Sequence, residues 1–243
     1  MFHLLEETTS TNDLAMHGGS HGDLFAAERQ SAGRGQRGNK WYSGEGLNLT
    51  LSLVVEPQGL EATSQFYISQ VAALTLVDLL AEYGVEARIK WTNDIYIGDR
   101  KIAGILIENA LSGSAVKRSV VGIGLNVNQK IFDPLVPNPT SMALESGSEF
   151  DRKAVMERLH AIFFALFDKN MAADRGTIDE RYQNLLYRKD EWHTYRLADG
   201  ALIEGRIEGV EPSGALILSL RDGSRSSYQF KEIEFVIDKR GDR

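Results

Sequence analysis

The sequence predicts an α+β protein with a mixed, largely antiparallel central sheet and flanking helices, followed by a small all-β unit. Residues 87–126 read as a run of short strands separated by tight turns, an arrangement that is mostly antiparallel. Residues 63–83 and 151–171 show helical periodicity, with apolar faces suited to packing against a sheet. After residue 189, short strands recur at a spacing of about ten residues, which favours a small barrel.

The remaining elements follow from local patterns along the chain. Leucine alternates with polar residues over 47–53, which predicts a half-buried strand. Ser10 and Asp151 stand where helix N-caps are expected. Residues 30–46 are rich in glycine and lack periodicity, so they are predicted to form a long loop. The predicted strands are 3–5, 24–28, 47–53, 87–91, 95–97, 101–108, 117–126, 192–197, 202–210, 215–220 and 226–236, and the predicted helices are 9–17, 63–83, 151–171 and 177–186.

Composition limits the classes of protein to consider. The chain has 243 residues, and a change of texture near Arg188 predicts two domains, residues 1–188 and 189–243. There is no cysteine, which excludes disulfides, thiol nucleophiles and iron–sulfur clusters and fits a reducing compartment. The net charge of −7 opposes non-specific binding to DNA. The first residues do not resemble a leader, and no apolar stretch approaches the roughly 20 residues of a membrane span. We therefore expect a cytoplasmic protein.

The glycine- and arginine-rich run at residues 33–41 (GRGQRGNKW) is the first candidate binding feature. Its GRGQRG part fits the dinucleotide pattern G-x-G-x-x-G, but a strand rather than a helix follows, which argues against a dinucleotide site. Arg34 and Arg37 carry planar forks suited to phosphate or carboxylate oxygens. Trp41 offers a flat face for stacking. A solvated surface loop is the alternative, and two arginines with Lys40 and Trp41 favour a ligand loop.

Three further segments give this loop a context. They are Ser10-Thr11-Asn12, residues 90–108 with KWTNDI and KIAGILIE, and residues 122–128 (GIGLNVN). Together with residues 33–41, and in this order, they resemble the biotin–protein ligase family. The resemblance implies an enzyme that uses ATP to convert biotin to biotinyl-5′-adenylate and transfers biotin to a lysine of a biotin carboxyl carrier domain. It also implies a catalytic domain like that of class II aminoacyl-tRNA synthetases and an SH3-like C-terminal β domain.

The resemblance also assigns candidate residues to the substrates. Arg34, Lys101 and Asp94 are the expected catalytic groups. For Arg34 and Lys101 the reason is that two anions must approach one another, and fixed positive charge lowers that barrier. Asp94 is a candidate to orient or deprotonate the incoming amine. Hydroxyl and amide groups suit the ureido ring of biotin. The expected biotin-binding residues are Ser10, Thr11, Asn12, Gln30, Arg34, Gly35, Gln36 and Lys101. The expected ATP and adenylate residues are Arg34, Arg37, Trp41, Lys90, Asn93 and Asn126.

The chain departs from the family pattern at three positions. Gln36 stands where many relatives have arginine, and Asn39 where a basic residue is common, so the loop carries less positive charge. Thr92 replaces a usual proline. Mg²⁺ is implied by the use of ATP and is expected to be held mainly by phosphates, with no protein metal site, since the histidines show no ligand spacing.

Other functions stay open at this level. They are a lipoate or octanoate ligase of the same superfamily, a non-catalytic biotin sensor, and a biotin-responsive repressor. The repressor is disfavoured, because the first motif begins at Thr8 and no DNA partner is expected. Neither is a membrane partner expected, and a homodimer through an exposed sheet edge is compatible with the sequence.

Overall fold

The structure is a computed structural model that describes residues 1–38, 41–134, 136–171 and 175–237. It has a seven-stranded sheet with helices on both faces and a five-stranded sheet formed by the C-terminal part. The strands of the first sheet are β1 Phe2–Thr8, β2 Leu24–Gln30, β3 Leu49–Val55, β4 Arg88–Lys90, β5 Asp94–Ile97, β6 Arg100–Ser112 and β7 Ala115–Leu125. The helices are α1 Thr11–His17, α2 Phe66–Glu82, α3 Met142–Ser146, α4 Arg152–Met171 and α5 Gly176–Asn184.

The seven strands lie in the order β1-β2-β3-β7-β6-β5-β4. The β1–β2 pair is parallel, and all the other neighbouring pairs are antiparallel. This arrangement confirms the predicted α+β class with a mixed, largely antiparallel sheet.

Side-chain alternation divides the sheet into an apolar face and a polar face. Leu51 of β3, Ile123 of β7 and Ile105 of β6 are in register and lie on the apolar face, where α2 packs. Ser52 and Gly122, which are directly paired, lie on the opposite face. The polar face holds α1 and, beside it, the candidate site.

Helix α2 is the central helix of the core. Twelve of its residues are buried, and it packs against α4 and α5 as well as the sheet. By length and composition Ala62–Glu82 could cross a membrane, contrary to the expectation that no stretch approaches that length, but 67% of the tested window is buried in the fold. A core helix meets the same test, so this helix is accounted for by packing in the core.

The C-terminal strands form a separate sheet. They are β8 Trp192–Leu197, β9 Leu202–Val210, β10 Leu216–Leu220, β11 Arg225–Tyr228 and β12 Ile233–Phe235, in the order β11-β10-β9-β8-β12 with antiparallel neighbours. In the described residues, no ladder joins β11 to β12 and no closed barrel is formed. The C-terminal part contacts the seven-stranded part where Trp91 Nε1 donates to the Gly214 carbonyl over 2.8 Å.

The structure confirms some of the predicted strands, helices and caps and corrects others. Residues 226–236, predicted as one strand, are two strands on opposite edges of the C-terminal sheet. Asp151 caps α4, since its Oδ1 accepts from the Lys153 amide at 2.9 Å. Ser10 occupies the cap position of α1 but makes no side-chain capping bond. The short helix α3, which Ser141 caps, was not predicted.

Candidate active site

Two adjoining cavities open on the polar face of the central sheet. The first has a volume of about 290 Å³ and the second about 570 Å³. They share the side chains that stand at their junction, which are Trp41, Lys90, Trp91, Asp94, Lys101, Phe230 and Glu234. A ligand with two chemically different halves therefore has two joined compartments available to it.

The first cavity is lined by a network of hydrogen-bonded side chains at the start of α1. Asn12 is buried and donates from Nδ2 to Glu108 Oε2 at 2.7 Å and to the Leu106 carbonyl at 3.2 Å. Ser52 Oγ lies 2.6 Å from Asn12 Oδ1 and 2.7 Å from Thr11 Oγ1. Gln30 Oε1 accepts from the Thr11 amide at 2.8 Å. The network fixes the orientation of these polar groups before a ligand binds.

Ser10 lines the same cavity and is 3% exposed. It stands at the N-cap of α1, and a cap role alone would be the simplest reason for its presence. Its hydroxyl does not cap the helix, so capping does not explain the serine at this position.

Glycines form the floor of the site. A Cβ atom on Gly122 would collide with the side chain of Asn12, and one on Gly124 would collide with the indole of Trp41. A Cβ on Gly104 would lie 3.2 Å from Trp41 Cζ3 and 3.3 Å from Lys101 Nζ. Gly122 and Gly124 must therefore lack a side chain for Asn12 and Trp41 to keep their positions, whereas at Gly104 a small shift of the neighbours would suffice.

The glycine–arginine loop is folded against the mouth of the first cavity, with the Trp41 amide bonded to the Gly33 carbonyl at 3.1 Å. Arg34 forms a two-bond ion pair with Asp13, at 2.9 and 2.7 Å, and contacts Glu108 at 3.2 Å. The bond to Asp13 is the main reason why the pKa of Arg34 is raised. Arg34 is thus placed at the cavity but held by carboxylates, which an anionic ligand would have to displace.

Gln36 and Gly35 also line the first cavity. Gln36 begins a 3-10 turn, Gln36–Gly38, and its Oε1 lies 3.2 Å from Thr92 Oγ1. The side chain of Arg37 and residues Asn39 and Lys40 lie outside the part of the chain that the structure describes.

Lys101 stands at the junction of the cavities because of a β-bulge. Lys101 pairs with Tyr96 and Ala103 with Ile95, so Ile102 is an extra residue in β6. Regular alternation would place Lys101 on the apolar face with Ala103; the bulge turns it to the polar face instead. There its Nζ lies 2.6 Å from Asp94 Oδ1 and 5.6 Å from the ring centre of Trp41.

Lys90 is a second cation beside Asp94, with Nζ 3.7 Å from Asp94 Oδ2. Its Nζ also lies about 5 Å from two ring centres, 5.2 Å from that of Tyr96 and 5.0 Å from that of Phe235. Burial lowers the pKa of Lys90, and Asp94 opposes this effect. A solvated strand lysine does not fit this surrounding. Burial likewise raises the pKa of Tyr96.

The second cavity is more apolar. Its walls include aromatic, proline and aliphatic side chains from β5, from β12 and from loop residues: Tyr42, Tyr96, Phe132, Val136, Pro137, Pro139, Ile233 and Phe235. Asn126 also lines it, and its Nδ2 donates to the Thr140 carbonyl at 2.9 Å. Asn93 lines the first cavity rather than the second, and its Nδ2 donates to the Ile105 carbonyl at 2.8 Å.

Several side chains of the site were missed by sequence reasoning. Asp13 and Glu108 hold Arg34, and the second cavity is lined by Phe132, Val136, Pro137 and Pro139. Phe230 and Glu234 enter both cavities from the C-terminal part, for which the sequence left the role open. Glu108 was part of a quoted motif, but its pairing with Asn12 and Arg34 appears only in three dimensions.

The described residues contain no group of three or more His, Asp or Glu side chains that could hold a metal ion. Asp94 and Glu234 are the carboxylates common to both cavities. This donor set suits a cation that is held mainly by the ligand's own oxygens.

The fold and site define a ligand-binding α+β domain with joined polar and aromatic cavities and lysines at their junction. Residues 4–126 match the model of the Biotin/lipoate A/B protein ligase family. The chain is 34% identical to the biotin–[acetyl-CoA-carboxylase] ligase of Paracoccus denitrificans, over 88% of this chain and 92% of that protein. This chain belongs to the biotin/lipoate A/B protein ligase family.

Two other similarities extend the comparison. The bifunctional ligase/repressor BirA of Escherichia coli is 32% identical over 87% of this chain and 66% of its own length. The structure of the biotin protein ligase from Aquifex aeolicus in complex with biotin and ATP superposes with a TM-score of 0.82 and 25% identity. That match covers 98% of this chain and 99% of the other.

Proposed function

We propose that this chain is an ATP-dependent biotin–protein ligase, which activates biotin as biotinyl-5′-AMP and transfers the biotinyl group to a lysine of a biotin carboxyl carrier domain. The observation that carries the proposal is the junction of the two cavities, where Lys101, Lys90 and Asp94 meet. The relatives in the comparison are biotin ligases, and one similar structure holds biotin and ATP.

The first cavity fits the ring system of biotin. A ureido group offers two N–H donors and one carbonyl acceptor, and it needs partners of both kinds when it is buried. Ser10, Thr11, Asn12 and Gln30 supply such groups in a fixed arrangement, and Ser52 holds two of them in place. With the ring here, the carboxylate tail would extend along the glycine floor toward Lys101.

The second cavity fits the nucleotide. Its aromatic and proline walls suit the flat faces of a purine, and Asn126 adds a polar group. The phosphates would then lie near Lys90, Lys101 and Trp41. The Trp41 Nε1 atom is buried without a partner, so it has a free donor for a ligand oxygen.

In the first step, a carboxylate oxygen of biotin attacks the α-phosphorus of ATP, the bond to the β-phosphate oxygen breaks, and pyrophosphate leaves. Both reactants are anions. Lys101 would reduce their repulsion at the junction, with Arg34 joining it once an anion draws it from Asp13. Asp94 holds Lys101 and Lys90 in position. Mg²⁺, held by phosphate oxygens, would supply further charge neutralisation when bound.

In the second step, the neutral amine of the acceptor lysine attacks the acyl carbon of biotinyl-AMP. The bond between the acyl carbon and the phosphate oxygen breaks, AMP leaves, and the nitrogen gives up a proton. Asp94 and Glu234 are the nearby carboxylates in the cavity lining. Glu234 comes from β12, so the C-terminal sheet would take part in closing the site.

We make further proposals about the domains, the location and the assembly of the protein. We place the catalytic domain at 1–188 and an SH3-like C-terminal domain at 189–243, the latter supported by five short antiparallel strands. A cytoplasmic location is supported by the lack of cysteine, and a homodimer by the exposed β1 edge, where Leu4 is 60% exposed. The repressor function in the BirA names is not extended to this chain, whose net charge of −7 opposes DNA binding.

One assay tests the proposed function. The protein is incubated with ATP, Mg²⁺ and labelled biotin or labelled lipoate, with and without an apo biotin carboxyl carrier domain. We expect biotinyl-AMP without the acceptor and labelled acceptor with it, and no transfer to a carrier whose target lysine is replaced by arginine. If an adenylate forms with lipoate and ATP but not with biotin and ATP, the chain is a lipoate ligase. Tight biotin binding without adenylate would show that it is a sensor.

A further inference from the structure

Helix α1 lies along paired residues that β3 and β7 present on the polar face of the sheet. The first pair, Ser52 and Gly122, lies beneath the start of the helix, where the first cavity opens. The next pair on this face, Val54 and Val120, packs with Ala15 in a small apolar cluster that is separate from the main core. The underside of α1 therefore changes from polar to apolar along its length.

Arg118 follows next on this face of β7, because alternate residues of a strand share a face. Its side chain is 17% exposed. The Nε and Nη2 atoms donate to the Ala15 carbonyl at 3.3 and 2.9 Å, and Nη2 also donates to the carbonyls of Gly18 and Gly19. The Nη1 atom is paired with Glu56 Oε1, just after β3, at 2.9 Å. One guanidinium thus joins the C-terminal end of α1 to the sheet.

The C-terminal end of α1 needs such a partner. A helix of seven residues makes about two turns and is not stable on its own in water. Gly18 leaves the helix in an extended conformation, and its amide donates to the Leu14 carbonyl at 2.8 Å. The last carbonyls of a helix have no partner within the helix, and an arginine side chain can supply one. Arg118 supplies it from the sheet beneath.

The two ends of α1 stand in different relations to a ligand. Thr11 and Asn12, at the N-terminal end, line the first cavity, and so does Gln30, which accepts from the Thr11 amide. A ligand in this cavity competes for the hydrogen bonds that hold this end. Arg118 lies outside the lining of the cavity, so a ligand does not compete with its bonds. Ala15 is only three residues beyond Asn12, about 4.5 Å along the helix axis, so fixing one fixes the other.

We propose that Arg118 is a positioning residue for the ring system of biotin. By holding the C-terminal end of α1 on β7, it sets where Thr11 and Asn12 lie in the first cavity. The inference rests on the proposed function, because it takes this cavity as the site of the ureido ring. Of the described residues that line the second cavity, none belongs to α1, so the effect should be confined to biotin.

The test measures the Kd of biotin and the Kd of ATP separately, by titration calorimetry on the full chain. Arg118→Met removes the guanidinium and keeps an apolar stem. We expect biotin to bind about tenfold more weakly, which corresponds to about 1.4 kcal/mol, and ATP affinity to change by less than about twofold. Arg181→Met, which removes an ion pair with Asp78 between α5 and α2, is the matched control and should leave both affinities unchanged.

A double-variant cycle shows whether Arg118 acts through the start of α1. In an Asn12→Ala background the carboxamide is already gone, so adding Arg118→Met should weaken biotin binding by less than about threefold. A residue that only stabilised the fold would have the same effect in both backgrounds. Amide hydrogen exchange in α1, Thr11–His17, should also be faster in Arg118→Met than in the Arg181→Met control.

Other results would overturn the role of Arg118. They are wild-type biotin affinity in a folded Arg118→Met protein, equal losses for biotin and ATP, or a full tenfold loss in both backgrounds. Thermal unfolding identifies a variant that does not fold. In that case Arg118→Gln, which keeps a donor for one carbonyl, takes its place and must lose affinity for biotin alone. A wild-type protein that binds no biotin would instead overturn the proposed function itself, and the role of Arg118 with it.

Discussion

The two faces of the seven-stranded sheet are made by the same strands but have different tasks. On one face, Leu51, Val121 and Leu125 are at most 1% exposed and pack in the main core. On the other, Ser52 and Gly122 alternate with them and lie beneath the start of α1. The comparison shows that the apolar face stabilises the fold by packing, whereas the polar face has glycines that leave room for ligands.

The polar face also depends on an irregularity in β6. Strands β3 and β7 pair in regular register over residues 49–55 and 119–125, whereas the bulge at Ile102 moves Lys101 from the apolar to the polar face. Both Ile102 and Ala103 are fully buried, so the apolar side is kept intact across the bulge. The bulge therefore places Lys101 in the site rather than in the apolar core, where its charge would be buried.

The largest expected effect of a single change on the polar face is that of Lys101→Ala. We expect the rate of biotinyl-AMP formation to fall by roughly 10²–10³, because a fixed charge beside the reacting anions is lost. Single-turnover formation of biotinyl-AMP measures this effect. Lys153→Ala, exposed on α4, is the control. A near-normal rate in Lys101→Ala would remove Lys101 from the mechanism.

A smaller loss is expected at the closed end of the first cavity. Asn12→Ala removes a carboxamide that is hydrogen-bonded to Ser52 and to Glu108. The same carboxamide is a candidate hydrogen-bond partner of the ureido ring. We expect biotin to bind about ten to a hundred times more weakly, at 1.4 kcal/mol per factor of ten, with ATP affinity little changed. Titration calorimetry with each ligand measures this. Asn184→Ala serves as the matched surface variant, and equal losses for biotin and ATP would contradict the assignment of separate cavities.

The smallest effect on activity is expected for Lys90→Met, and here stability and function should diverge. Lys90 has its pKa lowered by burial, so replacing the charge by an apolar side chain should leave stability unchanged or raise it. The loss of a cation near the phosphates should raise KM for ATP about fivefold, or about 1 kcal/mol. Thermal unfolding and steady-state kinetics test both parts. A large loss of stability would show that the Lys90 charge is needed structurally.

Much of the fold could be read from the sequence because local periodicity dictates it. Alternation in 47–53 and the long apolar helix near 63–83 gave elements close to β3 and α2. The prediction that the strand is half-buried was wrong, because all seven residues of β3 are buried, with Ser52 beneath α1 and the apolar side chains in the core. The two strands at 225–235 were merged because the short segment between them keeps strand-like composition. Their separation depends on pairing with β10 and β8 on opposite edges of the sheet, which local composition does not encode.

The candidate site, like the fold, could be predicted from the sequence only in part. Residue types with clear chemistry, such as Arg34 and Lys101, were found from their motifs and lie at the cavities. The bulge that aims Lys101, the carboxylates that hold Arg34 and the entry of Phe230 were not found. The carboxylate contacts of Arg34 and the entry of Phe230 join distant parts of the chain, and the bulge depends on the exact register of the β5–β6 hairpin. A single sequence carries no local signal for either.

The most direct test of the two-face account compares Gly122→Ala with Leu125→Ala, two changes in β7. A methyl on Gly122 would push Asn12 out of place, so biotin affinity should fall at least tenfold, by about 1.4 kcal/mol, with little change in Tm. Leu125→Ala should lower the free energy of unfolding by about 2–5 kcal/mol and leave biotin affinity nearly unchanged. Biotin titration and denaturant unfolding of both variants give the answer. Normal biotin affinity in Gly122→Ala, together with lost affinity in a folded Leu125→Ala, would contradict the account.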